Sequence, residues 1–183
     1  TNDSIANYDR SNMRKLLIEF PKQITEAAKI GSEARVPHLP AGGVDRIVVT
    51  GLGGSAIGGD VLRAALADEL AVPLTVNRHY FLPEYVDKRT LVVVSSYSGN
   101  TEETIAAHQD AVRRGAAVLC ISSNGETARL AAKHDQALIT IPKGLPPRAA
   151  LGYSFFPVLI ALSKMNLIAP KEKEIRETVS LLR

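Results

Sequence analysis

Hydroxyl side chains crowd one turn of the sequence, at residues 95–101. The turn follows the apolar run 91–94 and opens into a helical pattern. Its four hydroxyls belong to Ser95, Ser96, Ser98 and Thr101. Free backbone N–H groups and the positive end of the dipole lie at a helix start, so an anion is favoured there. The segment therefore predicts a site for a phosphate or a sugar phosphate, without the lysine of a Walker loop.

A plainer interpretation of the same segment is a tight turn before a helix that Thr101 caps. Four hydroxyls within seven residues exceed what a cap requires, so the phosphate site is favoured. Thr101 is expected to cap the helix as well. Gly99 is predicted to let the backbone come close to a ligand, because it has no side chain.

A glycine-rich loop follows an earlier apolar run, at residues 51–60. Its first part, 51–56, fits the G-x-G-x-x-A fingerprint of dinucleotide-binding folds, and Arg78 could accept the 2′-phosphate of NADP. The fingerprint is weak because glycine-rich turns serve many ligands, and Gly58 and Gly59 could serve only close packing of a helix on the sheet. A dinucleotide needs one phosphate loop, whereas a sugar phosphate held between two loops uses both. The pair of loops favours the sugar phosphate, with NADP binding as an alternative.

Five short apolar runs alternate with helical patterns in the middle of the chain. The predicted strands are 47–50, 74–76, 91–94, 118–121 and 137–141, and the predicted helices between them are 55–70, 101–114 and 125–134. Strands that are apolar on both faces indicate a parallel sheet covered by helices. With right-handed crossovers, the pattern predicts a doubly wound five-stranded α/β sandwich of flavodoxin-like type. Ligands of such sheets bind at the carboxyl ends of the strands, where both polar loops are expected.

Three parts are predicted along the chain: an N-terminal helical segment and linker at 1–44, the α/β domain at 45–168, and a C-terminal helix at 169–183. Pro21 suits the first turn of a helix, so two helices joined there are expected within 9–31. The apolar residues of the last segment share one helical face, which is expected to pack on another surface. They are Ile175, Val179 and Leu182.

The composition excludes several classes of protein. A net charge of +3 over 183 residues is too small for a nucleic-acid-binding surface, and no apolar run is long enough to cross a membrane. A cytoplasmic protein is therefore expected. We also expect no cofactor and no metal. Cys120 lies within an apolar run and is expected to be a buried small side chain. None of the four histidines has metal-binding spacing; His108 and His134 are expected on helix surfaces, His38 in a linker, and His79 could reach a sugar.

Three segments carry a family resemblance. They are Gly-Leu-Gly-Gly-Ser-Ala-Ile-Gly-Gly-Asp at 51–60, Ser-Ser-Tyr-Ser-Gly-Asn-Thr-Glu-Glu-Thr at 95–104 and Leu-Pro-Pro-Arg-Ala-Ala-Leu-Gly-Tyr at 145–153. Together they resemble the N-terminal half of the bifunctional phosphoglucose/phosphomannose isomerases, which belong to the sugar isomerase (SIS) domain superfamily. The hydroxyl turn is typical of the superfamily, whereas the last segment is more particular to the bifunctional enzymes.

The resemblance implies a homodimer that interconverts glucose 6-phosphate or mannose 6-phosphate with fructose 6-phosphate through an enediolate. Two sets of residues are implied to bind the substrate, one its phosphate and the other its sugar. The first set is Ser96, Ser98 and Thr101, and the second is Gly53, Gly54 and Ser55. Arg148 would stabilise the negative charge of the enediolate, a role for which a fixed guanidinium is chemically suited.

In the family a glutamate moves the proton between C1 and C2 and a histidine opens the sugar ring. Both belong to the second half of those enzymes, and no residue of this chain matches them, so the isolated chain is expected to be inactive. A non-catalytic sugar-phosphate sensor is an alternative hypothesis. A short single-domain isomerase, similar to the phosphoheptose isomerases, would need a cluster of histidine and glutamate that the sequence does not display.

Overall fold

A single parallel sheet forms the centre of the molecule. The computed structural model describes residues 8–183. Its strands are β1 (Arg46–Thr50), β2 (Leu74–Asn77), β3 (Thr90–Ser96), β4 (Ala117–Ser122) and β5 (Ala137–Thr140). They lie in the order β2-β1-β3-β4-β5, and all neighbouring strands are parallel. The direction of winding reverses between β1 and β3, so their carboxyl ends flank the crevice in which such sheets bind ligands.

Helices cover both faces of the sheet. They are α1 (Met13–Ile18), α2 (Phe20–Glu33), α3 (Gly54–Ala65), α4 (Glu102–Arg113), α5 (Gly125–Lys133), α6 (Leu151–Lys164) and α7 (Glu172–Leu181). Alternate residues of β3 serve the two sides: Leu91 and Val93 share a core with residues of α2, α3 and α6, and Val92 and Val94 share one with residues of α4 and α5. The predicted doubly wound α/β sandwich with five parallel strands is thus confirmed.

The N-terminal helices pack on the same core as the sheet. Pro21 lies in the first turn of α2, as predicted for two helices joined at this point. Ile24 and Ala27 of α2 are fully buried. A Cβ on Gly31 would lie 2.8 Å from the Cα of Pro157 in α6, so the glycine allows these two helices to approach each other closely. As a result, α2 reaches the segment that precedes α6.

The C-terminal helix α7 packs through part of its apolar face. Ile175 is buried and Val179 packs half-buried against the core. Leu182, directly after the helix, remains 47% exposed. Like every other described helix, α7 falls short of the length and apolar character that a membrane span requires.

The prediction that His108 lies on a helix surface is wrong. His108 is fully buried on the side of α4 that faces the sheet, because it shares that face with Ala107 and Ala111. Its Nε2 lies 2.6 Å from Oε1 of Gln136 and 3.6 Å from Sγ of Cys120. Burial lowers the pKa of His108 and raises the pKa of the Cys120 thiol to about 12. Cys120 is thus buried, as predicted, and its thiol stays protonated.

Candidate functional site

The hydroxyl turn connects β3 to α4, and its own side chains hold it in shape. Ser96 is buried, and its Oγ accepts a hydrogen bond from the N–H of Gly99 at 3.1 Å. The same hydroxyl donates to Oγ1 of Thr101 at 3.3 Å. Ser98 Oγ accepts a hydrogen bond from the N–H of Asn100 at 3.2 Å. These bonds bring the three predicted phosphate-binding residues together within one preformed turn.

The first turn of α4 contains unpaired backbone donors. Thr101 occupies the N-cap position, but its side chain makes no capping hydrogen bond, so the expectation of a side-chain cap is wrong. Among the described residues, the N–H groups of Glu102, Glu103 and Thr104 have no acceptor. These donors and the helix dipole together favour an anion in front of α4.

Gly99 packs against the next loop of the sheet. Its φ is 75°, and a Cβ at this position would lie 1.7 Å from the carbonyl oxygen of Asn124. The Gly99 carbonyl accepts two hydrogen bonds from Thr127, from the N–H at 2.9 Å and from Oγ1 at 3.2 Å. The prediction that Gly99 makes room for a ligand is therefore wrong, because the missing side chain makes room for the neighbouring loop.

The glycine loop between β1 and α3 is tied to the hydroxyl turn. Ser55 is buried, and its Oγ accepts a hydrogen bond from the N–H of Tyr97 at 3.1 Å. Ser95 Oγ donates to the carbonyl oxygen of Ser55 at 3.4 Å. Gly53 is exposed with a φ of 54°, and no described atom lies within 4 Å of the position that a Cβ would take there. The loop thus offers open backbone at Gly53, while the Ser55 hydroxyl is engaged inside.

Arg148 lies on a 3-10 turn, Pro147–Ala149, directly beside the glycine loop. A Cβ on Gly54 would lie 2.8 Å from the carbonyl oxygen of Pro147, so glycine is needed for this contact. The N–H of Leu145 donates to the Tyr97 hydroxyl at 2.9 Å, which fastens the same segment to the hydroxyl turn. Arg148 is exposed, and among the described residues its guanidinium has no hydrogen bond or ion pair. The glycine loop, the hydroxyl turn and Arg148 therefore meet at one edge of the sheet.

The alternative of NADP binding depended on Arg78 to accept the 2′-phosphate. Arg78 donates to the carboxylate of Asp60 in α3, so its charge is already paired. A Cβ on Gly59 would lie 2.8 Å from Cγ1 of Val49 in β1, which confirms that this glycine serves close packing of a helix on the sheet. Gly58 has a different neighbour, because it makes room for α6.

Two carboxylates lie in the first turn of α4, beside the hydroxyl turn. Glu102 is exposed and Glu103 is half-buried, and both complement the helix dipole. The negative charge of Glu103 raises the pKa of Tyr80, with further contributions from burial and from Glu102. Tyr80 therefore borders this end of α4, and His79, which precedes it in the chain, is exposed. The described residues hold no cluster of histidine, cysteine or carboxylate side chains suited to a metal ion.

One further contact with this region comes from α2, and no sequence pattern signalled it. Gln23 is 8% exposed, and its Nε2 donates to the carbonyl oxygen of Ala149 at 2.8 Å. Its Oε1 accepts a hydrogen bond from the N–H of Gly152 at 2.8 Å. Ala149 lies 126 residues away in the chain, so periodicity within α2 carries no information about this pairing.

Known proteins resemble this chain in sequence and in fold. The sequence profile of the SIS domain matches residues 43–163. The bifunctional phosphoglucose/phosphomannose isomerase of Caldicellulosiruptor bescii is 49% identical over 170 residues, which cover 93% of this chain and 50% of that protein. The protein of the same name from Thermoplasma acidophilum is 38% identical over 141 residues, 77% of this chain and 42% of that protein.

Among solved structures, the C-terminal domain of glucosamine-fructose-6-phosphate aminotransferase from Francisella tularensis matches with a TM-score of 0.63. The match covers 96% of this chain and 54% of that one at 17% sequence identity, and it shows a shared fold. The chain spans about half the length of the curated relatives it matches. The SIS profile extends over the glycine loop, the hydroxyl turn and Arg148, and it covers more than half of the sequence. The chain therefore belongs to the SIS-domain family.

Proposed function

We propose that this chain is the sugar-phosphate-binding part of an aldose–ketose isomerase that interconverts glucose 6-phosphate or mannose 6-phosphate with fructose 6-phosphate. The observation that carries the proposal is the set of unpaired N–H donors at the start of α4, beside an exposed Arg148 whose guanidinium has no partner among the described residues. The 49% identity to a bifunctional phosphoglucose/phosphomannose isomerase over most of the chain supports this substrate class.

The phosphate group lies in front of α4 in this proposal. Ser98 and Thr101 already accept hydrogen bonds through their oxygens, so each hydroxyl proton is free to donate to a phosphate oxygen. Ser96 donates to Thr101 and accepts from the turn backbone, so it orients the Thr101 hydroxyl. The backbone N–H groups at 102–104 add charge-assisted hydrogen bonds along the helix axis.

The sugar lies between the glycine loop and Arg148. Removal of the C2 proton of the open-chain aldose sends the C–H electron pair into a C1–C2 double bond, and the carbonyl oxygen becomes an oxyanion. Protonation at C1, with transfer of the O2 proton to O1, then gives the ketose. A guanidinium beside O1 and O2 stabilises this charge as it develops, which lowers the barrier more than it tightens binding of the neutral sugar. The open backbone at Gly53 allows the sugar to approach closely.

We further propose that the base and the ring-opening acid come from outside these residues, through a second domain or a second copy in a cytoplasmic homodimer. The half-length coverage of the relatives supports this view. So does the placement of two described histidines. His108 is buried away from solvent, and His134 follows the end of α5, opposite the end that adjoins the hydroxyl turn.

Isothermal titration calorimetry with the purified chain tests the proposed function. Fructose 6-phosphate is expected to bind, whereas fructose and NADPH are not. A coupled assay is expected to detect no isomerase activity in the chain alone, because in this proposal the base and the ring-opening acid come from elsewhere. Absence of fructose 6-phosphate binding, or tight binding of NADPH, would overturn the proposal. Turnover by the isolated chain would overturn the assignment of the base to other residues.

A further inference from the structure

The segment that carries Arg148 is held from the N-terminal side by α2. Gln23 uses both ends of its carboxamide, donating to the Ala149 carbonyl and accepting from the Gly152 N–H, each at 2.8 Å. The Gly152 N–H is one of the first-turn donors of α6, which have no acceptor inside that helix. Gln23 therefore caps α6 from a different helix. Its two hydrogen bonds hold the backbone at Ala149 and at Gly152.

The packing around Gln23 leaves its carboxamide little freedom. A Cβ on Gly152 would lie 2.5 Å from Oε1 of Gln23 and 3.0 Å from its Cγ, so only glycine admits the side chain in this position. Gln23 is 8% exposed, and both polar atoms of its amide are paired. A buried amide with both hydrogen bonds made is held in one position, because breaking either bond would leave a buried polar group unsatisfied.

A second contact one turn along α2 strengthens the same connection. The Tyr153 hydroxyl donates to Oε2 of Glu26 at 2.6 Å. Burial raises the pKa of Tyr153, and the hydrogen bond to Glu26 raises it further. Upstream of the turn, the Leu145 N–H donates to the Tyr97 hydroxyl at 2.9 Å. The backbone is thus fastened before and after Arg148, while the Arg148 side chain itself is exposed.

We propose that Gln23 is a positioning residue for Arg148: it fixes the backbone of the 147–152 segment so that the guanidinium faces the sugar site. The inference rests on the proposed function, because it assumes that Arg148 stabilises negative charge on the substrate. Preorganisation of this kind lowers the entropy that binding must remove, and displacement of a charged group by about 1 Å can cost about 100-fold in rate.

A double-mutant cycle tests the proposal. The ligands are 5-phospho-D-arabinonate, whose carboxylate carries charge where the enediolate oxygens would lie, and inorganic phosphate, which reports on the hydroxyl turn alone. Gln23→Leu is expected to weaken binding of the arabinonate about tenfold and to leave phosphate binding unchanged. In an Arg148→Ala background, Gln23→Leu is expected to cause no further loss, because the group that it positions is gone.

Gln136→Leu is the matched control, because it removes another glutamine amide with a buried partner, His108, on the opposite face of the sheet. It is expected to lower the melting temperature without changing the affinity for either ligand. Gly152→Ala provides a second route, since its methyl group would displace the Gln23 carboxamide. It is expected to reproduce the loss of arabinonate affinity, and it keeps the test available if Gln23→Leu does not fold.

The outcomes separate this inference from the proposed function. If Arg148→Ala leaves arabinonate binding unchanged, or if the wild-type chain binds neither ligand, the proposed function fails. If Arg148→Ala weakens binding and neither Gln23→Leu nor Gly152→Ala does, the positioning role fails alone. A loss from Gln23→Leu that is equally large in the Arg148→Ala background also contradicts it, because the effect would then be a general one on stability.

Discussion

Two helices, α4 and α5, start at the carboxyl edge of neighbouring strands, and each follows a turn that contains serines. At α5 two of the first-turn donors are satisfied by protein: the Glu126 N–H donates to Oδ1 of Asn100 at 3.0 Å, and the Thr127 N–H donates to the Gly99 carbonyl at 2.9 Å. Both acceptors lie in the hydroxyl turn before α4. At α4 itself, the first-turn N–H groups have no acceptor among the described residues.

The difference shows why one helix start binds a ligand in our account and its neighbour does not. A serine-rich turn and a helix dipole occur at both places, so neither feature alone defines a phosphate site. The hydroxyl turn folds over the start of α5 and occupies two of its donors, and this packing leaves the start of α4 uncovered. An anion at α4 would accept hydrogen bonds of the kind that Glu126 and Thr127 already make within the protein at α5.

Breaking the contact between the two turns should have the largest effect. Gly99→Ala would place a methyl group 1.7 Å from the Asn124 carbonyl, at a φ of 75° that alanine disfavours. We expect the free energy of unfolding to fall by about 3 kcal/mol and fructose 6-phosphate binding to be lost. Urea denaturation measures the first effect and calorimetry the second.

Gly115→Ala is the control for Gly99→Ala. Gly115 also has a positive φ, of 70°, but no described atom lies within 4 Å of a Cβ there. Gly115→Ala should lower the free energy of unfolding by about 1 kcal/mol, the cost of the backbone strain, and leave fructose 6-phosphate binding intact. Equal stability of the two variants would show that the loops do not depend on this close approach.

A matched pair of threonines distinguishes the two helix starts. Thr101→Val removes a hydroxyl proposed to donate to phosphate, and affinity for fructose 6-phosphate should fall about tenfold. Thr127→Val removes a buried hydroxyl that donates to the Gly99 carbonyl at the start of α5. It should reduce stability by about 1 kcal/mol and leave affinity nearly unchanged. Calorimetry that shows the reverse pattern would place the ligand at α5.

Lowering the pH should reduce the free energy of unfolding through a buried histidine between the two helices. His108 on α4 bonds to Gln136, which follows α5, and burial lowers the pKa of His108. The unfolded chain therefore takes up the proton first as the pH falls below about 6.5, and stability falls from there towards the lower pKa of the folded state. One proton gives at most about 1.4 kcal/mol per pH unit. Urea denaturation between pH 7.5 and pH 5 follows this loss.

His108→Gln should flatten the pH dependence of stability in that range, although it removes a buried contact at every pH. His38→Gln changes an exposed histidine that does not contribute to the lowered pKa of His108, and it should keep the wild-type slope. A slope that is unchanged in His108→Gln would show that other groups cause the loss.

The smallest expected effect concerns the cap of α5. Asn124 occupies the N-cap position of α5 but makes no side-chain capping bond, whereas Asn100 reaches Glu126 from the other turn. Asn100→Ala should therefore cost about 1 kcal/mol of unfolding free energy, and Asn124→Ala less than about 0.5 kcal/mol. Thermal denaturation ranks the stability of the two variants. A larger loss of stability in Asn124→Ala would contradict the conclusion that Asn100 caps α5 in place of Asn124.

Local sequence patterns were sufficient to predict the sheet and to single out the hydroxyl turn. The strands around Leu91 and Leu119 are buried on both faces, and such runs predict a parallel sheet without knowledge of distant contacts. The burial of His108 could also have been predicted, because Ala107 and Ala111 mark the side of α4 that faces the sheet. The composition of the turn favoured a phosphate site, but could not show which donors stay unpaired.

What could not be predicted depends on contacts between remote segments. The bond from Gln23 to Ala149 joins α2 to the 3-10 turn before α6, and only the folded core brings these two segments together. The role of Gly99 is similar, since its missing side chain serves a loop that follows the next strand. Polar side chains of this kind have no periodicity that points to their partners, so their pairing follows from the tertiary structure alone.

A two-dimensional ¹H–¹⁵N NMR titration of the chain with fructose 6-phosphate tests the central claim most directly. The amide signals of Glu102, Glu103 and Thr104 are expected to shift as the phosphate accepts their hydrogen bonds, and those of Glu126 and Thr127 are expected to stay in place. Inorganic phosphate should shift the same first group. Shifts confined to Glu126 and Thr127, or no shift at 102–104 at saturating ligand, would contradict the assignment of the sugar-phosphate site to the start of α4.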